Sequence, residues 1–78
     1  MHFEDEVIEI LSYWMKDCKV MFYYKPIEMV YRCEVYFTKF NLKYSTEIPY
    51  NRDLDAKKVT HTLLSHISTY INKQFFKE

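Results

Sequence analysis

Few side chains in this 78-residue chain could do acid–base, nucleophilic or metal chemistry: His61 and His66 in the stretch HTLLSH, Ser65 between them, and Cys18 and Cys33. His61 and His66 stand five residues apart. On a helix, at about 100° per residue, that spacing turns them roughly 140° away from each other. They cannot share a zinc ion as a pair four apart on one face can, and the stretch lacks the glutamate of H-E-x-x-H. Ser65 lies one turn from His61 but has no motif context. Two cysteines are too few for a disulfide framework and read as buried free thiols. The expectation is no catalytic residue, no metal and no cofactor, and hence no enzyme.

Glycine sharpens this exclusion by its absence. Average usage of about 7% would give roughly five glycines in a chain of this length. Without them there is no Gly-rich phosphate loop, no dinucleotide fingerprint and no G-x-S-x-G elbow. Turns must use Asn, Asp, Pro and Lys instead.

Recognition chemistry has more material. Almost a fifth of the residues are aromatic, and Tyr23, Arg32, Glu34, Tyr36, Lys39 and Lys43 fall close together in sequence. Tyr and Arg are the residue types in which interfaces concentrate binding energy. Whether these six share a surface depends on the elements that carry them.

Phe3, Val7, Ile8, Leu11, Trp14, Met15 and Cys18 repeat at three-and-four spacing and predict a helix over residues 3–18, with Asp5, Glu9, Ser12 and Lys16 opposite. Residues 19–24 alternate and are rich in strand-favouring types; Lys25-Pro26-Ile27-Glu28 then offers a turn. From Met29 to Phe37 the apolar residues are odd-numbered, whereas from Phe40 to Tyr44 they are even-numbered. A hairpin explains the switch, because directly paired residues share a face. A two-residue loop at Thr38-Lys39 pairs Phe37 with Phe40, Val35 with Leu42, Cys33 with Tyr44, Tyr31 with Thr46 and Met29 with Ile48. A three-residue loop with Asn41 in the left-handed region would instead put Lys43, Ser45 and Glu47 in the core, and the hydrophobic pattern excludes it. The same reasoning pairs Tyr24 with Met29, Phe22 with Tyr31 and Val20 with Cys33. Pro49 ends the third strand, and Asn51 or Asp53 caps a second helix over residues 53–76.

The fold class is therefore α+β: an α-β-β-β-α chain in one domain, 1–78, with a three-stranded antiparallel meander and both helices packed on one face. The other face is open. It carries Met21 and Tyr23, then Val30, Arg32, Glu34 and Tyr36, then Lys39, Asn41, Lys43 and Ser45, with Glu34 directly opposite Lys43. On the second helix, His66 borders the apolar arc and is expected half-buried. His61 falls outside it, beside Leu54, Ser65 and Phe76, which together could form a second contact stripe or dimer seam.

Formal net charge is zero but unevenly spread. Residues 1–17 carry five acids and one base, net −4, and residues 19–45 five bases and two acids, net +3. The opening MHFEDE is acidic where a secretory signal would be basic, and no uncharged apolar run approaches the roughly 18 residues a membrane span needs. A soluble, cytoplasmic protein is the expectation.

The element order, with Lys57-Lys58 at the start of the second helix, resembles the topology of double-stranded-RNA-binding domains. That resemblance implies nucleic-acid binding. In this chain the Lys pair has no preceding glycine, the G-P-x-H loop is absent and the first helix is acidic. The resemblance is therefore one of topology. Two functions follow as expectations. The first is a small non-catalytic protein-binding module, an inhibitor or adaptor of a larger complex and a homodimer, of a composition that suits a phage or other mobile element. The alternative is a nucleic-acid-binding domain, with Tyr23 and Tyr36 stacking on bases and Arg32, Lys39 and Lys43 on phosphates.

Overall fold

The three-and-four apolar repeat near the start folds into α1 (Phe3–Trp14). It is followed by β1 (Cys18–Lys25), β2 (Val30–Phe37), β3 (Leu42–Pro49) and α2 (Ala56–Phe75). The computed structural model describes residues 2–75. The strands form one antiparallel sheet in the order β1-β2-β3, and both helices pack on the same side of it. This is the α+β meander that the sequence predicts.

Helix α1 begins with Glu4, Asp5 and Glu6 in its first turn, where carboxylates offset the positive end of the helix dipole. It stops about one turn before the expected residue 18. Met15 leaves the helical region while its N–H still donates to the Leu11 carbonyl. The next residues are tied elsewhere: the Thr38 hydroxyl donates to the Asp17 carbonyl at 2.8 Å, and Lys39 Nζ meets the Asp17 carboxylate at 3.2 Å. Cys18 already pairs with Phe37. Strand pairing and the neighbouring turn thus override the helical pattern. Trp14, expected on the buried face, lies in the last turn and is 66% exposed.

Both hairpins keep the expected faces but slide by two residues. Tyr24 pairs with Tyr31, Phe22 with Cys33 and Val20 with Val35; across the second hairpin, Phe37 pairs with Leu42, Val35 with Tyr44, Cys33 with Thr46 and Tyr31 with Ile48. The loops are residues 26–29 and 38–41, four residues each: the first is displaced by one from the expected turn at 25–28, and the second replaces the expected two-residue loop at 38–39. Each ends on a left-handed residue, Met29 (φ 55°) and Asn41 (φ 52°). The second contains a tight turn, closed by Phe40 N–H donating to the Phe37 carbonyl at 3.1 Å. A shift of two leaves every side chain on its face, so hydrophobic pattern alone cannot distinguish the registers. The shift does move Met29 and Phe40 out of the expected core and into turns, where both are exposed.

The core is built from Val7 and Leu11 of α1, Phe22, Tyr31, Cys33, Val35 and Phe37 of the sheet, and Ala56, Val59, Leu63 and Ile67 of α2. Aromatic groups close it at both ends. Phe3, Phe22, Tyr24, Tyr31 and Tyr50 cluster near the first hairpin loop, and Phe37, Tyr44 and Tyr70 stack near the second. Thr60, the buried polar residue of the core, donates its hydroxyl to the Ala56 carbonyl at 2.6 Å. Helix α2 starts three residues later than expected, because the Asn51 side chain accepts from Asp53 N–H (3.0 Å) and its carbonyl from Leu54 N–H (3.1 Å). Asn51 therefore shapes a turn ahead of the helix instead of capping it. At 20 residues α2 is about 30 Å long, against about 26 Å for an eight-residue strand. Both helices run toward the 38–41 loop: Phe75 at the end of α2 packs against Phe40, and Tyr13 and Trp14 in the last turn of α1 pack against each other.

Candidate functional site

Strand alternation fixes which side chains the open face shows. They are Lys19, Met21, Tyr23 and Lys25 from β1, Val30, Arg32, Glu34 and Tyr36 from β2, and Lys43, Ser45, Glu47 and Pro49 from β3. No element of the described chain covers them.

Glu34 organises the centre. Its side chain is only 15% exposed, although it stands on the uncovered face, because neighbours lean over it. Tyr23 donates its hydroxyl to Glu34 Oε2 at 2.9 Å, Lys43 Nζ meets Oε1 at 2.8 Å, and Arg32 Nε lies 3.9 Å from Oε2. In the actual register Ser45, not Lys43, is directly opposite Glu34. The expected ion pair still forms, along the diagonal, which is within reach of long side chains. These contacts hold the Glu34 carboxyl below the usual carboxylate range, the hydrogen bond from Lys43 contributing most and that from Tyr23 next. The same bond to Glu34 pushes the Tyr23 phenol up.

The network continues toward the first hairpin loop. Arg32 Nη1 meets Glu47 Oε2 at 3.2 Å, while Arg32 Nη2 donates to Ser45 Oγ at 3.1 Å. Lys25 Nζ lies 3.5 Å from Glu47 and 3.6 Å from Glu28. Three cations and three carboxylates are thus linked. Exposed pairs of this kind contribute about 0–1 kcal/mol each, so the network's main effect is to fix side chains in place. Sequence reasoning missed Lys19, Lys25, Glu28 and Glu47. The signal for three of them was available, since they continue the alternation of Met21 and Tyr23 or of Lys43 and Ser45.

Of the six expected open-face residues, the structure brings Tyr23, Arg32, Glu34 and Lys43 into one cluster. Tyr36 sits beside it and donates its hydroxyl to Asn41 Oδ1. Lys39 does not belong there: the longer loop carries it to the end of the sheet, against Asp17. At the other half of the face, Lys19, Met21, Glu34, Tyr36 and Lys43 bound a shallow depression of about 250 Å³. A second depression of about 210 Å³ lies at the sheet end, between Asp17, Cys18, Phe37, Lys39 and Phe40.

Three residues of the expected second stripe, Leu54, His61 and Ser65, lie among the described residues. Leu54 packs against the core because the turn made by Asn51 folds it inward, while His61 and Ser65 are exposed. Phe76 lies outside the described residues. His66, expected half-buried, is exposed, and its Nδ1 lies 3.3 Å from Thr46 Oγ1 at the rim of the helix layer. The two thiols are free. Cys33 pairs with Phe22, four residues along β1 from Cys18, which puts the cysteines about 13 Å apart along the sheet, beyond disulfide reach. Burial pushes the Cys33 thiol up to about 11; burial and the adjacent Asp17 carboxylate raise that of Cys18. Among the described residues no three His, Cys, Asp or Glu side chains gather as a metal site would need, and no helix is long and apolar enough to cross a membrane. Comparison with protein-family models, with curated proteins and with solved structures returns no match to this chain.

Proposed function

We propose that this chain is a small non-catalytic protein-binding module, an inhibitor or adaptor of a larger complex, which docks through the open face of its sheet. One observation carries the reading: Met21 stands in the middle of a strand on that face, 57% exposed, with no element of the fold over it. Apolar side chains on an otherwise polar, uncovered surface are where partners gain binding energy. The hydrogen-bonded residues around it are held in place before any partner arrives, which reduces the entropy lost on docking. Self-association belongs to the same proposal, through the exposed aromatic end formed by Tyr13, Trp14, Phe40 and Phe75. The nucleic-acid alternative would require Arg32, Lys39 and Lys43 to face phosphates together, whereas Arg32 is tied to Glu47, Lys39 sits at the sheet end against Asp17, and Lys43 shares Glu34, whose charge opposes a phosphate.

Pull-downs from host lysate with the wild-type chain and with a Met21→Asp variant, each with and without nuclease, provide the test. Capture of a protein that survives nuclease and is lost with Met21→Asp supports the module. Capture that depends on nucleic acid, or is unchanged by the substitution, overturns it.

A further inference from the structure

The two halves of the open face differ in what they leave for a partner. Toward the first hairpin loop, Lys25, Arg32, Glu28 and Glu47 neutralise one another. Toward the second loop, Lys19, Tyr36 and Lys43 stand in register across the three strands, with Met21 and Glu34 in the next row. Neighbouring strands lie about 4.8 Å apart, so the two lysine backbones are about 10 Å apart with the Tyr36 ring between them. Among the described residues Lys19 has no carboxylate partner. Lys43 shares Glu34 but remains 63% exposed. This half therefore carries an uncompensated positive charge beside a largely apolar depression that both lysines line.

Resting on the proposed docking through this face, we infer that the partner presents an acidic segment: an apolar side chain that enters the depression between Met21 and Tyr36, flanked by carboxylates that pair with Lys19 and with the exposed side of Lys43. Each feature selects for this chemistry. Met21 supplies a flexible, polarizable wall that adapts to an aliphatic or aromatic side chain. Glu34, a little-exposed member of the lining, disfavours a second anion inside the depression, so the carboxylates are held at the rim. The same carboxylate opposes a polyphosphate backbone, and one free lysine is a weak footprint for tracking a nucleic-acid strand. Tyr23 and Arg32 act here as supports that hold Glu34 and Lys43.

Selection of random peptides displayed against the intact chain tests this, with binding sites mapped by amide chemical shifts of the labelled protein. The expected result is enrichment of peptides that combine an apolar residue with neighbouring Asp or Glu and shift Lys19, Met21, Tyr36 and Lys43. Their affinity should fall about tenfold or more in Lys19→Glu and in Met21→Asp, as for a charge or anchor removed from an interface centre. Lys57→Glu, the same charge change on α2 across the molecule, should leave it within twofold. The amide spectra report directly whether each variant is folded. Enriched peptides that bind this depression without an acidic bias would overturn the inference while leaving the docking face in place. Peptides that map elsewhere, or no enrichment at all, would overturn both. A 15-nucleotide oligo-dT that shifts the same residues with steep salt dependence would replace the acidic partner with a nucleic acid.

Discussion

Glu34 shows how a single carboxylate can set the character of a surface. With Lys43 and Tyr23 bonded to it, its pKa is held down, so the folded state gains from its ionised form. That contribution is complete above the ordinary glutamate value of about 4.3 and is lost as the pH falls through the lowered value. Glu34→Gln should therefore melt at a lower temperature than the wild type at pH 7. The gap should narrow as the pH drops below about 4, where the wild-type carboxylate is protonated too. Thermal melts across this range check the sign; a gap that is constant with pH would show that charge is not what Glu34 contributes. Tyr23 gives the opposite signature, its raised phenol favouring folding up to about pH 10 and ceasing to do so above. That Tyr23, Arg32, Glu34 and Lys43 share a face could be read from alternation alone. Their connectivity could not, because a diagonal pair and a direct pair look the same until the register is known.

At the scale of elements, two four-residue loops decide the register, and the residues ending them differ in fitness for the task. Asn tolerates the left-handed region because its short side chain bonds locally, whereas for other non-glycine residues that region costs roughly 1–2 kcal/mol. Asn41→Gly should leave the second hairpin intact, and Asn41→Ala should destabilise the chain by about 1 kcal/mol, through the backbone and the lost acceptor for Tyr36. At Met29 the logic reverses: Met29→Asn should stabilise by up to about 1 kcal/mol, or some 4–8 °C for a domain of this size. Equal effects of Ala and Gly at position 41 in denaturant titrations would contradict this account. The order of elements and the face of every strand were legible because burial enforces a period of two. The absolute register was not, since a slide of two preserves that period. Asn41 held the only local clue, and Met29 offered none. Helix ends were illegible because contacts distant in sequence set them: the apolar arc of α1 continues to Cys18, but Asp17 is tethered to Thr38 and Lys39 and the helix ends at Trp14.

For the molecule as a whole, size limits what the fold can cover. A chain of 78 residues buries only a little more than about 60% of its unfolded surface, and this one has a high aromatic content to place. The sheet and helices enclose Phe22, Tyr31 and Phe37, yet the ends of α1 and α2 and the 38–41 loop leave Tyr13, Trp14, Phe40 and Phe75 in solvent at one end. Phe40 and Phe75 already contact each other, with ring centres 4.9 Å apart, as do Tyr13 and Trp14 at 5.5 Å. Two such ends meeting about a two-fold axis would bury aromatic surface against aromatic surface, leaving both open sheet faces free for other partners. Trp14 is the chain's single tryptophan, so its fluorescence reports on that end alone. The expected outcome is a dimer by sedimentation equilibrium, with Trp14 emission shifting to the blue as concentration rises. Trp14→Ser should yield a monomer whose melting temperature at low concentration is unchanged, because the side chain contributes little to its own core. A wild-type chain that remains monomeric at high micromolar concentration, with emission independent of concentration, would remove self-association from the proposal and leave the sheet face as its sole docking surface.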